Sequence, residues 1–390
     1  MENTHACGPT NRLYYENAYL KAFDARVVSV RPDGWIALDQ SAFYPTSGGQ
    51  PFDTGTLNDA RVTDVQVEEG VVWHQAGGAF QPGDPVHGEI DWPRRWDHMQ
   101  QHAGDHLLAG TAWQMFGAVT IGLHLGQEDS TIDLTFPDGR THLTREEIRA
   151  LEETANRRVQ KDDPIRCWFP QEAELSRLPL RKRPTVAQHV RVVAMGDYEM
   201  VPCGGTHPAS TGQIGPVKIL SAAPARGKMR LCFLAGMRAV RYFQQTARAA
   251  EEMAAALSAP VEDAPRALEK EREAREMQRK DLSSRLTAAA LAALRAARRG
   301  NAYFGHLEFA DHDTLLSAAR ELTRDKQAAA LLSCPRGEGR FLIFARGSEN
   351  PLDMAALLRR CGARGGGKPD MAQGSAPDGA ALARALEEIG

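Results

Sequence analysis

Four side chains carry the strongest chemistry in this sequence. They are His102 and His106, spaced His-x-x-x-His, and Cys203 and His207, spaced Cys-x-x-x-His. On a helix of about 3.6 residues per turn, positions i and i+4 return to one face, so two imidazoles placed there point the same way. A thiolate and a third imidazole on a glycine-rich turn, here Cys203-Gly204-Gly205-Thr206-His207, can close a tetrahedron from the other side. Donors of this borderline softness select zinc over magnesium or calcium. Each pair alone is weak: His-x-x-x-His is often two polar residues on one helix face, and a lone cysteine is often a small buried hydrophobe. His98 and His102 share the same i,i+4 spacing. Spacing therefore leaves the ligating pair open, and His98 could be a ligand, a substrate contact or a surface residue.

A second motif is the run Phe43-Tyr44-Pro45-Thr46-Ser47-Gly48-Gly49-Gln50-Pro51-Phe52-Asp53-Thr54-Gly55, dense in turn formers. A loop between two strands accounts for its glycines. It does not account for the clustering of Thr46, Ser47 and Gln50 upon them. Glycine backbone admits a ligand closely, and the neighbouring hydroxyls and amide can read it by hydrogen bonds.

The elements that must position these residues fall into an α+β pattern. Residues 1–92 read as a small barrel-like β domain. Short runs such as Ala25–Val30, Trp35–Leu38, Arg61–Val67, Val71–His74 and Val86–Ile90 alternate with Gly, Asp and Pro turns. Residues 93–236 read as an α+β domain. A helix carries His98, His102 and His106, a second helix over 144–160 opens with a Thr144/Glu147 capping box, and strands near 191–195, 217–220 and 230–234 flank Cys203. Residues 237–299 are rich in Ala, Glu, Arg and Leu and read as a helical arm broken at Pro260 and Pro265. Its dense charge is most simply a solvated helix face. Residues 300–390 read as an α/β module. It ends in a loop, Gly362 to Pro369, that lacks the Gly-x-x-x-x-Gly-Lys-Ser/Thr phosphate-binding pattern.

Composition narrows the function class. At 390 residues, 42% hydrophobic and 25% charged, the chain is of soluble globular type with several domains, and no run spans a bilayer. The start, Met1–Cys7, has no secretory leader pattern, and six scattered cysteines suit a reducing compartment, so a cytoplasmic location is expected. A net charge of −3 does not advertise nucleic-acid binding, although a local basic patch can still provide it.

Four ordered blocks resemble the freestanding alanyl-tRNA editing proteins, the AlaX family, in its long form. They are Phe43-Tyr44-Pro45-x-x-Gly48-Gly49-Gln50-Pro51-x-Asp53-x-Gly55; His102-x-x-x-His106-Leu107-Leu108; Cys203-Gly204-Gly205-Thr206-His207 with Thr211-Gly212-x-Ile214-Gly215; and Gly365-Gly366-Gly367-Lys368-Pro369-Asp370-Met371-Ala372-Gln373-Gly374. The second and third resemble the zinc motif of the editing domain shared with alanyl- and threonyl-tRNA synthetases. The first resembles the alanyl branch, and the fourth the end of a DHH-associated domain. The resemblance selects His102 and His106, the pair followed by two leucines, and leaves His98 outside. Two positions depart from the family pattern. Asp105 stands where Gln or Thr is usual, and Ser41 stands where many relatives carry a threonine implicated in telling serine from alanine.

The resemblance implies an ATP-independent aminoacyl-tRNA deacylase acting in trans. Its partner would be tRNA(Ala) mischarged with serine or glycine, and its cofactor zinc. Such proofreading has a physical motive, because one missing methyl discriminates by only about 1–3 kcal/mol. Gly48, Gly49 and Gln50 would hold the terminal adenosine and the carbonyl, with Ser41 and Thr46 reading the amino-acid hydroxyl. Arg94, Arg95, Arg181, Lys182, Arg183, Arg226, Lys228, Arg230 and Lys368 are candidate phosphate contacts, each singly an ordinary surface charge. A homodimer through the C-terminal part is also expected. The competing reading is a tRNA-binding or assembly protein with a purely structural zinc, since a closed site of one cysteine and three histidines has the same sequence. A DHH-type phosphoesterase lacks its clustered Asp and His ligands here.

Overall fold

The computed structural model describes residues 8–184 and 189–389; the stretch Met1–Cys7, on which the expectation about a secretory leader rests, lies outside the described residues. The architecture is mixed α+β, and the chain divides into two compact units, Met1–Ala249 and Ala250–Gly390. No described helix is long and apolar enough to cross a membrane.

In the first unit, six strands pair in a ring: Ala22–Val30, Trp35–Leu38, Val71–Ala76, Ala60–Glu68, Gly55–Leu57 and Pro85–Ile90. The ring closes where Ala22 faces Glu89. The period of two does the sorting. Phe23, Ala25 and Val27 point inward while Asp24, Arg26 and Val28 face solvent. Phe23, Val27, Ile36, Leu38, Phe43, Leu57, Val62, Val65 and Val72 fill the interior.

The helix Trp92–Phe116 follows. Asp91 caps it by accepting from the Arg94 amide, Pro93 sits in its first turn, and Gly117 ends it in the left-handed region. Its run from His98 to Ala112 is buried throughout, so it is a central element and not a surface one. It packs against the sheet of Val217–Ala225, Lys228–Ala235, Ser130–Thr135 and Val119–Leu125, and also touches the strand Glu199–Pro202 of a second sheet. That second sheet orders Ile165–Trp168, Val192–Met195 and Glu199–Pro202. The capping box forms as the sequence predicts: Thr144 and Glu147 exchange both hydrogen bonds at the start of helix Arg145–Lys161.

The helix Met237–Ala256 runs out of the first unit. The boundary between the units lies within it, and the turn Val261–Asp263 and helix Ala264–Ala296 follow, so the helical stretch is broken at the two prolines. A five-stranded sheet then orders Ala302–His306, Ala329–Arg336, Gly339–Arg346, Met371–Ala376 and Arg364–Lys368. Only its first pair is parallel; the rest are antiparallel. The stretch expected as a glycine-rich loop is instead the edge strand Arg364–Lys368, paired with Met371–Ala376 through backbone alone.

Candidate metal centre and the cavity beside it

The long helix delivers His102 and His106 on one buried face. The hairpin Val192–Met195/Glu199–Pro202 delivers Cys203, whose amide donates to the Arg191 carbonyl at 3.0 Å. Arg191 then holds the following loop from inside, donating to the carbonyls of Cys203 (2.9 Å) and Gly205 (2.8 Å). Gly205 is sterically required: a Cβ there would lie 2.1 Å from Cε1 of His102. The loop can therefore press against the helix only where a side chain is absent.

The result is a compact cluster. One ligand atom from each of His102, His106, Cys203 and His207 lies within 4.8 Å of every other. Cys203 Sγ is 3.3 Å from His102 Nε2 and 3.4 Å from His207 Nε2. The three imidazole centroids stand 4.7–5.1 Å apart. The three histidines are buried, whereas Cys203 is partly exposed. His98 lies outside the group, buried, with Nδ1 unpartnered among the described residues.

Burial dominates the electrostatics. It lowers the His102 imidazole to about 3 and holds those of His106 and His207 well below the ordinary histidine range. It pushes the Cys203 thiol up to about 12, against the Gly205 amide, which donates to Sγ at 3.3 Å, and against Arg191. Asp105, beside His106 in sequence, is also buried, and burial raises its carboxyl to about 7. The site thus resists charge of its own yet gathers three neutral imidazoles and a sulfur whose lone pairs converge. A cation at the centre satisfies them together and favours the thiolate, so the donor set fits a metal and is compatible with zinc.

Gln50 occupies a different place from the one the sequence suggests. Gly48 and Gly49 both have positive φ, 56° and 85°, and close a tight turn in which Ser47 and Gln50 exchange backbone hydrogen bonds at 3.1 and 2.9 Å. The turn aims the Gln50 side chain inward, where it is wholly buried. Its Oε1 accepts from His102 Nδ1 (2.8 Å) and from the Thr206 amide (3.1 Å), and its Nε2 donates to Thr206 Oγ1 (2.8 Å). Gln50 is thereby a support for the histidine and the loop.

Ser41 is likewise displaced from its expected role. It is wholly buried, donating to His74 Nε2 at 2.7 Å and accepting from the Phe43 amide at 3.2 Å. His74 Nδ1 faces the Ile36 carbonyl at 3.2 Å, which makes Nδ1 the donor and Nε2 the acceptor. Thr46, Gly48 and Gly49 are exposed but do not line the cavity described next, whereas Ser47 does.

That cavity, of about 800 Å³, opens beside Cys203 and Gly204. Tyr15, Phe169, Arg12, Arg191 and Ser47 are among its walls. Sequence reasoning missed Tyr15, Phe169 and Arg191, whose spacing carries no motif. Thr206 was inside the Cys-Gly-Gly-Thr-His run and could have been read as part of the site.

The basic candidates separate by environment. Arg95 is wholly buried, with Nε donating to both Asp53 carboxylate oxygens (2.9 and 3.0 Å) and its guanidinium also donating to the carbonyls of Ala18 and Ala42. Asp53 in turn accepts from the Tyr44 amide at 2.6 Å, so Arg95 clamps the glycine motif and cannot meet a phosphate. Arg181 is 7% exposed and binds Glu199 bidentately, which removes it from the same role. Lys228 and Arg230 converge on Asp133, and Arg94 donates to the Phe52 carbonyl at 3.0 Å. Lys182, Arg183, Arg226 and Lys368 are exposed.

Residues 190–231, which carry Cys203 and His207, match the family model described as the threonyl and alanyl tRNA synthetase second additional domain. Residues 13–94 match that of class II (A) tRNA synthetases, and residues 302–390 that of the DHHA1 domain. The chain is similar to "Alanine--tRNA ligase" of Pyrococcus abyssi, 33% identical over 97% of this chain and 43% of that one. It is similar to the ligase of the same name from Thermococcus kodakarensis, 34% identical with the same coverage, and to that of Methanoregula boonei, 34% identical. The chain thus spans under half the length of the curated relatives it matches. A solved C-Ala domain of Aquifex aeolicus alanyl-tRNA synthetase is 20% identical and covers 23% of this chain and 86% of its own, at a TM-score of 0.21. Editing-domain and C-terminal regions related to those of alanyl-tRNA synthetases are therefore present in one chain.

Proposed function

We propose that this chain is a cytoplasmic aminoacyl-tRNA deacylase that hydrolyses the ester of tRNA(Ala) mischarged with serine, and with glycine, while sparing alanine. The observation that carries the reading is the three-histidine, one-cysteine cluster opening through Cys203 onto the cavity, in a segment that matches a synthetase editing-domain model. His102, His106, Cys203 and His207 would hold a zinc ion, which when bound supplies Lewis-acid polarisation and orientation of an ester carbonyl. The protein's own groups do the rest. Arg191 and Gln50 keep the ligand loop against the helix. The cavity holds the acyl end next to Cys203.

Discrimination falls to Ser47, the hydroxyl of the glycine loop that lines the cavity. A hydroxyl that pairs with the serine side chain loses that partner when alanine binds, at about 1–3 kcal/mol, or about ten- to a hundredfold. Exposed Arg183 and Lys368 are proposed phosphate contacts, and a homodimer through the C-terminal part is part of the same proposal. The test is incubation of metal-loaded and chelator-stripped protein with Ser-, Gly- and Ala-tRNA(Ala). Release of serine and glycine only from the loaded protein is expected; equal release of serine and alanine refutes the specificity.

One observation favours a second reading. Four protein ligands close a tetrahedral shell, which is the arrangement of structural zinc. If loaded protein binds tRNA(Ala) but deacylates no ester of it, the chain is a tRNA-binding or assembly protein.

A further inference from the structure

We infer that Glu199 is a positioning residue for the metal centre: clamped by Arg181, it accepts the His106 Nδ1 proton and so leaves His106 Nε2 as the lone-pair donor to the ion. This rests on the part of the proposed function that puts a metal on the cluster, and not on the hydrolysis of any ester.

The three imidazoles are unequally supported from outside. His102 Nδ1 is taken by Gln50. The same atom of His207 has no partner among the described residues. His106 Nδ1 makes no hydrogen bond either, yet Glu199 Oε1 lies 4.0 Å from it. Among the described residues, Glu199 is the one acidic side chain within that range of the ring. The His106 and Glu199 side chains are 5% and 0% exposed, so solvent neither screens the carboxylate nor takes its place.

The chain aims Glu199 at this spot. It opens the strand Glu199–Pro202, four residues ahead of Cys203, so one short segment carries a ligand and the carboxylate together. Arg181 fixes that carboxylate, its Nε donating to Oε1 and Oε2 at 3.0 and 2.8 Å and its Nη2 to Oε1 at 2.7 Å. Arg181 is itself tied to both sheets, its amide donating to the Met200 carbonyl at 2.9 Å and its Nη1 to Thr120 Oγ1 at 3.1 Å. The helix makes room. The i,i+4 stripe of His102 and His106 continues to Gly110, where an added Cβ would lie 2.6 Å from Glu199 Oε2.

The rival reading is a pair that only fastens the fold. Desolvating two charges offsets most of their attraction, so a buried pair is a weak device for stability alone. One guanidinium does not exhaust the acceptor positions of a carboxylate. An imidazole that gives one nitrogen to a cation is a stronger donor at the other, and a carboxylate there fixes its tautomer and raises its basicity. Asp105 is also buried with Oδ1 unpartnered among the described residues, but it lies beyond that range of the ring.

The experiment uses the full-length chain loaded with zinc and labelled with nitrogen-15 histidine, read by ring-nitrogen spectra and by chelator competition. In wild type, His106 is expected to show a protonated Nδ1 and a metal-bound Nε2. Glu199→Gln should move the Nδ1 proton upfield and weaken zinc about tenfold or more, with the His207 ring unchanged. Asp105→Asn should leave the His106 signals in place. A metal-bound or unprotonated His106 Nδ1 in wild type overturns the inference, and that measurement stands even if Glu199→Gln does not fold. So does a Glu199→Gln protein that loses stability while its zinc affinity and His106 signals stay the same, or an Asp105→Asn protein that shows the effects expected of Glu199→Gln. If the His106 signals and the affinity loss are as expected while no ester is hydrolysed, the deacylase reading fails and this one stands. If esters are hydrolysed with the metal on His106 Nδ1, the reverse holds.

Discussion

Gln50 Oε1 accepts a hydrogen bond from His102 Nδ1 at 2.8 Å, joining the glycine turn to a metal-ligand candidate 52 residues away. The bond fixes the tautomer: with Nδ1 protonated, Nε2 is left as the lone-pair donor facing Cys203 Sγ. Outer partners of this kind govern how well a ligand binds its metal. Gln50→Ala is therefore expected to weaken zinc by about 10- to 100-fold in chelator competition. His106→Ala with Cys203→Ala should abolish stoichiometric zinc, and His98→Ala should leave it. Undiminished zinc affinity in Gln50→Ala would dissociate the turn from the metal centre.

Arg95 and Asp53 are both wholly buried and paired. Removing one partner strands the other charge without water. Arg95→Ala is expected to lose about 3–5 kcal/mol of unfolding free energy in denaturant titration. A phosphate contact would behave otherwise, leaving the midpoint unchanged and altering only the salt dependence of RNA binding.

His74 supplies a pH dependence. Burial lowers its imidazole to about 4, against an ordinary value of 6.5. Between these values the unfolded chain binds a proton that the folded chain refuses. Stability conferred by the neutral ring is thus complete above about pH 6.5 and falls as the pH drops towards 4, by up to about 3 kcal/mol. Unfolding midpoints of wild type and His74→Gln, measured from pH 7.5 to 5, should converge as the pH falls. Parallel profiles would contradict the assignment. Ser41→Ala, which strips the ring of its hydroxyl donor, should cost about 1–3 kcal/mol at neutral pH.

The chemistry proposed for the first unit does not call on the second. Truncation after Ala256, the end of the helix that leaves the first unit, should give protein that keeps its metal and its single-turnover deacylation rate at saturating tRNA. A rate that vanishes while the metal remains would place the C-terminal unit in the active site.

Local signals in the sequence are honoured where short-range physics controls the outcome. The Thr144/Glu147 box, the breaks at Pro260 and Pro265, and the alternation of Phe23, Ala25 and Val27 all appear as read. The four ligand candidates were legible because an i,i+4 pair and a Cys-x-x-x-His turn each aim their side chains locally. What escaped was set by distant partners. Nothing beside Arg95 in sequence reveals that Asp53 waits for it, and nothing beside Gln50 or Ser41 distinguishes a residue facing substrate from one facing His102 or His74. The strand Arg364–Lys368 was missed for another reason. Its glycines have no side-chain alternation to read, and only backbone pairing with Met371–Ala376 makes it a strand.

The ligand cluster draws on a helix and on a loop 101 residues further along, with a supporting amide from a turn that precedes both. An ion held there would be a staple across most of the first unit. Its binding energy would count directly towards folding, because the unfolded chain has no such site to offer. Closing loops of this length costs only slightly more than closing short ones, so the staple returns most of what it contributes. Release of the ion would then lower the stability of the first unit, and retained metal would report on its assembly.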